Sequence, residues 1–377
     1  MKKVVIFFGS RRAFAEIAPK TSRTLTSVAI EMDEESKKLE MVHKGLPQSP
    51  DAPKEKKRAR PRIKNFVISA DEYCGVQEHV ILNFGNFLSK LSVTNMFIQN
   101  PPVSILDQLY RTYGAIIEEI SQPYPALDEE KFRRINKEYD KIIIGQNKVK
   151  QKLLQALYPT LNPSNEKPVV ILLYGDTGLG KTETAQLLTD IVGGVLFRKQ
   201  FSMYQNNEFA NYLFGGRYNE KSFTQDLLTR DSNVILLDEF DKANSLFHSA
   251  FYQLFDEGEF SDQNYRVSLK HTIIICTSNY LTSEEIKSKL GAPIYNRFDA
   301  VIEFAQLSED AKNIIAANYI KKSEIEYGFT LEIEVKNRLE KAVITLDNAR
   351  EIQRIIKDTF SLLAVRKICG SLDGEQD

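Results

Sequence analysis

The sequence predicts an α/β fold, a parallel sheet with flanking helices, preceded by a small α+β unit. Two apolar runs and one helical spacing carry the prediction. Val169–Tyr174 and Val234–Leu237 are continuous apolar stretches, the pattern of strands buried on both faces rather than one. Between them, Ala185, Leu188 and Val192 recur at helical spacing and Gly193-Gly194 supplies a stop, so a strand, a turn and a helix follow in order.

At 377 residues the chain exceeds the roughly 250–300 at which a single core stops growing, so two or three units are expected. Hydrophobic residues at 42% and charged residues at 27% are ordinary for a globular protein. Fifty Lys plus Arg offset fifty-one Asp plus Glu, a net charge of -1, which leaves no global field to gather nucleic acid or acidic membrane. Cys74, Cys276 and Cys369 are odd in number and far apart, which suits a reducing compartment better than a disulfide framework. Five apolar residues, Val4–Phe8, are too few for a secretory h-region and read as a first strand. No run reaches the roughly 20 apolar residues of a membrane span, and a cytoplasmic location is expected.

Residues 1–125 form the expected α+β unit. Strands are assigned to Val4–Phe8, Ser27–Met32, Leu39–His43, Phe66–Ser69 and Asn95–Gln99, and helices to Tyr73–Leu91 and Ile105–Tyr113, from short β-rich runs and helical spacing respectively. Residues 44–64 hold Pro47, Pro50, Pro53 and Pro61 and are expected to be a mobile loop. Its basic cluster from Lys54 to Lys64 could contact nucleic acid, although the reading as a solvated loop is preferred. After Gln122-Pro123-Tyr124-Pro125, the stretch Glu129–Tyr139 reads as a charged helix.

The chemistry is concentrated after Tyr174. Gly175-Asp176-Thr177-Gly178-Leu179-Gly180-Lys181-Thr182 satisfies the phosphate-binding P-loop pattern in the required strand-to-helix context. Its glycines let backbone N–H groups wrap phosphates at a helix N-terminus, Lys181 neutralises β,γ-phosphate charge and the Thr182 hydroxyl can ligate Mg²⁺. ATP and Mg²⁺ are therefore the expected ligands. Val234–Leu237 ends in Asp238-Glu239-Phe240-Asp241, placing carboxylates at the edge where parallel sheets bind ligands. Asp238 is assigned to Mg²⁺ and Glu239 to polarising the attacking water. His43, His79, His248 and His271 show no metal-ligand spacing with the cysteines.

These motifs carry a resemblance. Asp238-Glu239-Phe240-Asp241-Lys242-Ala243, Gln253-Leu254-Phe255-Asp256-Glu257-Gly258, Thr272–Asn279, Asn296-Arg297-Phe298-Asp299 and Asn348-Ala349-Arg350 occur in the order of the Clp-type AAA+ ATPases, and residues 129–368 resemble one such module. The resemblance implies a large subdomain over 126–304 and a helical lid over 305–377. It implies a water-positioning role for Asn279, an arginine finger at Arg297 acting on a neighbouring subunit, and a phosphate contact from the lid at Arg350. Ile143-Ile144-Gly145-Gln146 is similar to the segment that packs adenine, which assigns Ile144 and Gly145 to the base. Asn348 stands where the family has Gly, and Asn tolerates the left-handed conformation a Gly would adopt. The Gly-aromatic-Val-Gly pore motif is missing. Leu213–Glu220 occupies its place, with Phe214 and Tyr218 available either to grip a polypeptide or to pack.

The resemblance also implies a ring, hexameric by family habit, that binds ATP and ADP and remodels a protein recruited by residues 1–125. An ATP-dependent assembly switch without threading is the alternative, and a nucleic-acid-directed ATPase using the basic loop is a third. No membrane partner is expected.

Overall fold

The computed structural model describes residues 1–44, 60–203, 208–243 and 245–370. Its strands, in chain order, are β1 (Lys3–Phe8), β2 (Arg23–Thr24), β3 (Arg62–Ile68), β4 (Ser92–Gln99), β5 (Ile117–Ser121), β6 (Val169–Tyr174), β7 (Phe197–Gln200), β8 (Val234–Asp238), β9 (Glu259–Ser261), β10 (Arg266–Ser268), β11 (Ile273–Ser278) and β12 (Ala300–Glu303). The chain divides into two compact units. The first comprises Met1–Tyr124, Asn206–Asp231 and Glu259–Leu269, and the second Pro125–Gln205, Ser232–Gly258 and Lys270–Asp377.

The second unit is built on a five-stranded sheet in the order β12-β6-β11-β8-β7, with every pairing parallel. The central strands β6, β8 and β11 are buried at every position, which is why they read as unbroken apolar runs. The edge strands β7 and β12 are mixed. Register aligns Thr277 with Leu173 of β6 and Cys276 with Leu237 of β8. The strand leading to Asn279 therefore lies between the P-loop strand and the acidic strand. Asp128 caps the helix Glu129–Ile142 by accepting from the Lys131 N–H. The helix Lys181–Val192 stops at Gly193, whose φ is 111°. Three helices, Glu309–Tyr327, Ile333–Ile344 and Ala349–Cys369, follow β12.

The first unit differs from its expected form. Its sheet, β2-β3-β4-β1-β5, pairs in parallel throughout, so it is an α/β rather than an α+β arrangement. Ser27–Met32 and Leu39–His43 are not strands but parts of one helix, Leu25–Lys44. Leu25 and Val28 are buried and Met32 packs on the same core, a spacing of three and four that fits a helix, not alternation. The helix expected over 73–91 is broken into a 3₁₀ turn, Ala70–Gly75, and two short helices, Glu78–Leu82 and Phe84–Ser89. β5 was not foreseen. Of the expected loop 44–64, residues 45–59 lie outside the described residues, and residues from Arg62 onward are already strand β3.

Two segments expected within 126–304 belong to this first unit. Tyr218 joins the apolar cluster of Val4, Ile6 and Phe66, donates its hydroxyl to Ser104 Oγ at 3.1 Å, and its carbonyl accepts from Cys74 Sγ at 3.5 Å. The Val103 N–H donates to the Asn264 carbonyl at 2.9 Å. Arg230 stacks on Tyr124, 4.1 Å from ring centroid to guanidinium carbon.

Candidate nucleotide site

The loop between β6 and its helix is shaped by three glycines in left-handed or related conformations, Gly175 (φ 129°), Gly178 (φ 72°) and Gly180 (φ 105°). A Cβ on Gly175 would stand 2.5 Å from the Phe304 carbonyl oxygen, and one on Gly178 would stand 2.8 Å from Asn348 Oδ1. The backbone fits only without side chains. The Gly178 carbonyl accepts from the Ala349 N–H at 3.2 Å, tying the loop to the start of the last helix. Asn348 there is extended, φ -148°, and caps that helix by accepting from Glu351 N. Its left-handed tolerance is not used.

Lys181 is buried and donates to the Gly175 carbonyl at 2.6 Å, the Asp176 carbonyl at 2.8 Å and Asn279 Oδ1 at 3.2 Å. Burial pushes its ammonium down to about 8, against the upward pull of Asp176, Asp238 and Asp241, with Arg350 adding a smaller push down. Such a cation gains by meeting an anion.

β8 ends in a tightly held pair. Asp238 Oδ1 accepts from Thr277 Oγ1 at 2.5 Å, and the same Thr277 oxygen accepts from the Glu239 N–H at 2.9 Å. Glu239 has φ 53°, a conformation costing a non-glycine residue on the order of 1 kcal/mol or more. Thr277 thus fixes the bend that aims the Glu239 side chain. Gln200, from β7, donates to Glu239 Oε2 at 3.1 Å, and Arg198 donates to Asp238 Oδ2.

Two neighbouring cavities share a rim. One is lined by Ile142, Ile143, Ile144, Leu179, Leu307 and Tyr319, among others. The other is polar, with Thr177, Lys181, Thr182, Asp238, Glu239 and Asn279 in its wall. Gly178, Gly180, Glu183 and Arg350 line both. An apolar cavity thus opens beside a polar one carrying charges of both signs, a division that matches the base and phosphate halves of a nucleotide. Thr182 and Asp238 line the polar cavity, and a hydroxyl with a carboxylate is an oxygen donor set suited to Mg²⁺.

Residues 166–354 match the family model for the AAA domain, Cdc48 subfamily. The chain belongs to the AAA family of ATPases, in its Clp-type branch. This AAA chain is 29% identical over 255 residues to the ATP-dependent Clp protease ATP-binding subunit ClpL of Staphylococcus aureus (strain bovine RF122 / ET3-1), covering 57% of this chain and 36% of that protein. It is 27% identical over 274 residues to the chaperone protein ClpB of Mycoplasmoides gallisepticum, covering 64% of this chain and 38% of that protein. It therefore spans about a third of the length of these curated relatives.

Not every assigned residue joins the two cavities. Gly175 and Asp176 act through carbonyls on Lys181, and the Asp176 carboxylate accepts from Gln306 at 3.1 Å. Gly145 (φ 79°) stands against Ala311 rather than in the base cavity. Arg297 lines neither cavity. It donates to Asp256 Oδ2 at 2.8 Å and lies over the Tyr252 ring. Sequence reasoning missed Arg198, Gln200 and Thr277. Thr277 was open to detection, since it precedes Asn279 by two and shares its strand face. Among the described residues no helix is long and apolar enough to cross a membrane.

Proposed function

We propose that this AAA chain is a Mg²⁺-dependent ATPase that assembles into a ring and couples hydrolysis to remodelling a protein partner engaged through its first unit. The shared rim of the base and phosphate cavities, with Lys181, Asp238, Glu239 and Asn279 in one wall, carries the enzymatic part. Ile144 and its apolar neighbours pack the base. The P-loop N–H groups and Lys181 hold the β,γ-phosphates. Thr182 and Asp238 would hold the metal ion, which would supply neutralisation of phosphate charge. Glu239, its carboxylate kept in place by Gln200, polarises the attacking water, and Asn279 orients it. Arg350 follows the phosphates from the last helix. Arg297, anchored by Asp256 and outside both cavities, supplies the finger to a neighbouring subunit's nucleotide.

Glu239→Gln tests this assignment. The amide keeps the shape but not the basicity of the carboxylate, so the variant binds ATP normally and turns over at least a hundred-fold more slowly. Near-normal turnover would remove Glu239 from the reaction.

A second reading, an ATP-dependent assembly switch that threads no polypeptide, draws support from Tyr218. This aromatic of the stretch in the pore-motif position is buried and bonded to Ser104, while Phe214 is 45% exposed. ATP-driven unfolding of a tagged model protein separates the two readings. Unfolding favours remodelling, and a nucleotide-dependent change in assembly mass without unfolding favours the switch.

A further inference from the structure

Arg198 is the one strong cation in the wall of the phosphate cavity that has no role in the mechanism above. It stands on β7, next to β8 at the sheet edge, with Arg198 in register with Leu236 and Gln200 with Asp238. Its Nε and Nη2 donate to Asp238 Oδ2 at 3.1 and 2.5 Å. The Asp238 side chain is only 10% exposed, that of Arg198 45%. Thr277 already occupies the other carboxylate oxygen.

One carboxylate charge cannot neutralise both a guanidinium and a divalent ion. Held at the same carboxylate the two cations repel, and the repulsion is stronger in a half-enclosed cavity than in bulk water. The charged side chains of the cavity wall are Lys181, Arg198 and Arg350 against Glu183, Asp238 and Glu239, a balance of three to three. A half-exposed ion pair adds little to stability, so structural bracing does not account well for a charged residue at this place. A planar fork does suit paired phosphate oxygens.

We infer that Arg198 is a further residue of the nucleotide site, contesting Asp238 with Mg²⁺ and, once displaced, presenting its fork to the terminal phosphate of ATP. This rests on the ATP and Mg²⁺ reading of the cavity. It makes metal binding and recognition of the terminal phosphate two consequences of one side-chain movement.

The test uses the full chain and a fluorescent ADP analogue titrated with Mg²⁺, with ATP and ADP affinities measured by competition. In Arg198→Ala the Mg²⁺ concentration for half-saturation falls about three- to five-fold, the scale of a partly exposed ion pair, and the preference for ATP over ADP shrinks. Arg198→Lys retains the competition with Mg²⁺ in part but not the ATP preference, because an ammonium has no fork. A Mg²⁺ half-saturation unchanged in both variants overturns the inference. Arg198→Gln serves if the alanine variant does not fold. Failure of the unsubstituted protein to bind the analogue would instead sink the nucleotide reading, so the two failures are told apart.

Discussion

Removing residues 1–124 is expected to unfold more than it removes. A terminal recruitment arm could be cut away with hydrolysis intact, but here Asn206–Asp231 and Glu259–Leu269 complete the first unit. Truncation would expose Tyr218, worth about 2 kcal/mol of apolar burial. It would remove the ring under Arg230, about 1–2 kcal/mol. The Tyr218 hydroxyl and the Asn264 carbonyl would exchange their partners Ser104 and Val103 for water, at little net cost. The sum, roughly 3–4 kcal/mol, is a large fraction of the stability of a typical domain. The truncated chain should therefore aggregate or lose ATP turnover, seen by light scattering and phosphate release, and Tyr218→Ala in the full chain should lower the melting temperature. A truncated protein that stays folded at the same oligomer mass and hydrolyses ATP at the full rate would refute this reasoning.

Four further outcomes are expected. Because Lys181 in the free protein loses its proton above about 8 and phosphate binds the charged form, nucleotide affinity should fall roughly ten-fold from pH 7 to pH 9, with a proton taken up on binding; calorimetry in buffers of different ionisation enthalpy reads both, and a flat profile contradicts it. Thr277→Val leaves the Glu239 N–H and Asp238 Oδ1 without their partner, so turnover should drop at least ten-fold while stability falls by about 1–3 kcal/mol; equal turnover would show that the bend at Glu239 holds itself. Gly175→Ala forces a Cβ toward the Phe304 carbonyl at 2.5 Å, and nucleotide affinity measured by fluorescence should collapse. Mixing Arg297→Ala with Glu239→Gln subunits should restore some turnover if the finger acts across an interface, and no recovery despite proven co-assembly would place its role within one subunit.

The phosphate cradle was legible because its parts are contiguous. A loop that wraps an anion with N–H groups needs glycine at fixed spacing, and Gly175, Gly178 and Gly180 write that requirement into eight residues. The clamp on the acidic pair was not legible. Arg198, Gln200 and Thr277 reach Asp238 and Glu239 across sequence gaps of 38 to 40 residues, and only the strand order β11-β8-β7 brings them together. The first unit was misread for a related reason. β2 is two residues long and β5 has no buried residue, so neither gives a periodic signal, while the helix Leu25–Lys44 has its apolar positions spread among charges.

The course of the chain has a consequence for folding and for coupling. Tyr218 shares an apolar cluster with Val4 and Ile6, so the first unit cannot complete its core until the chain has run through the P-loop segment and back. The loop-closure entropy of that return must be met by contacts made late. The chain passes from the second unit to the first a few residues after Gln200, which donates to Glu239. It re-enters at Ser232, just before β8 and Asp238. β7, with Arg198 and Gln200, and β8, with Asp238, are therefore joined along the chain to a segment of the first unit. A strain applied to the first unit's segment ending at Asp231 has a short covalent route to β8, at whose end Asp238 and Glu239 stand.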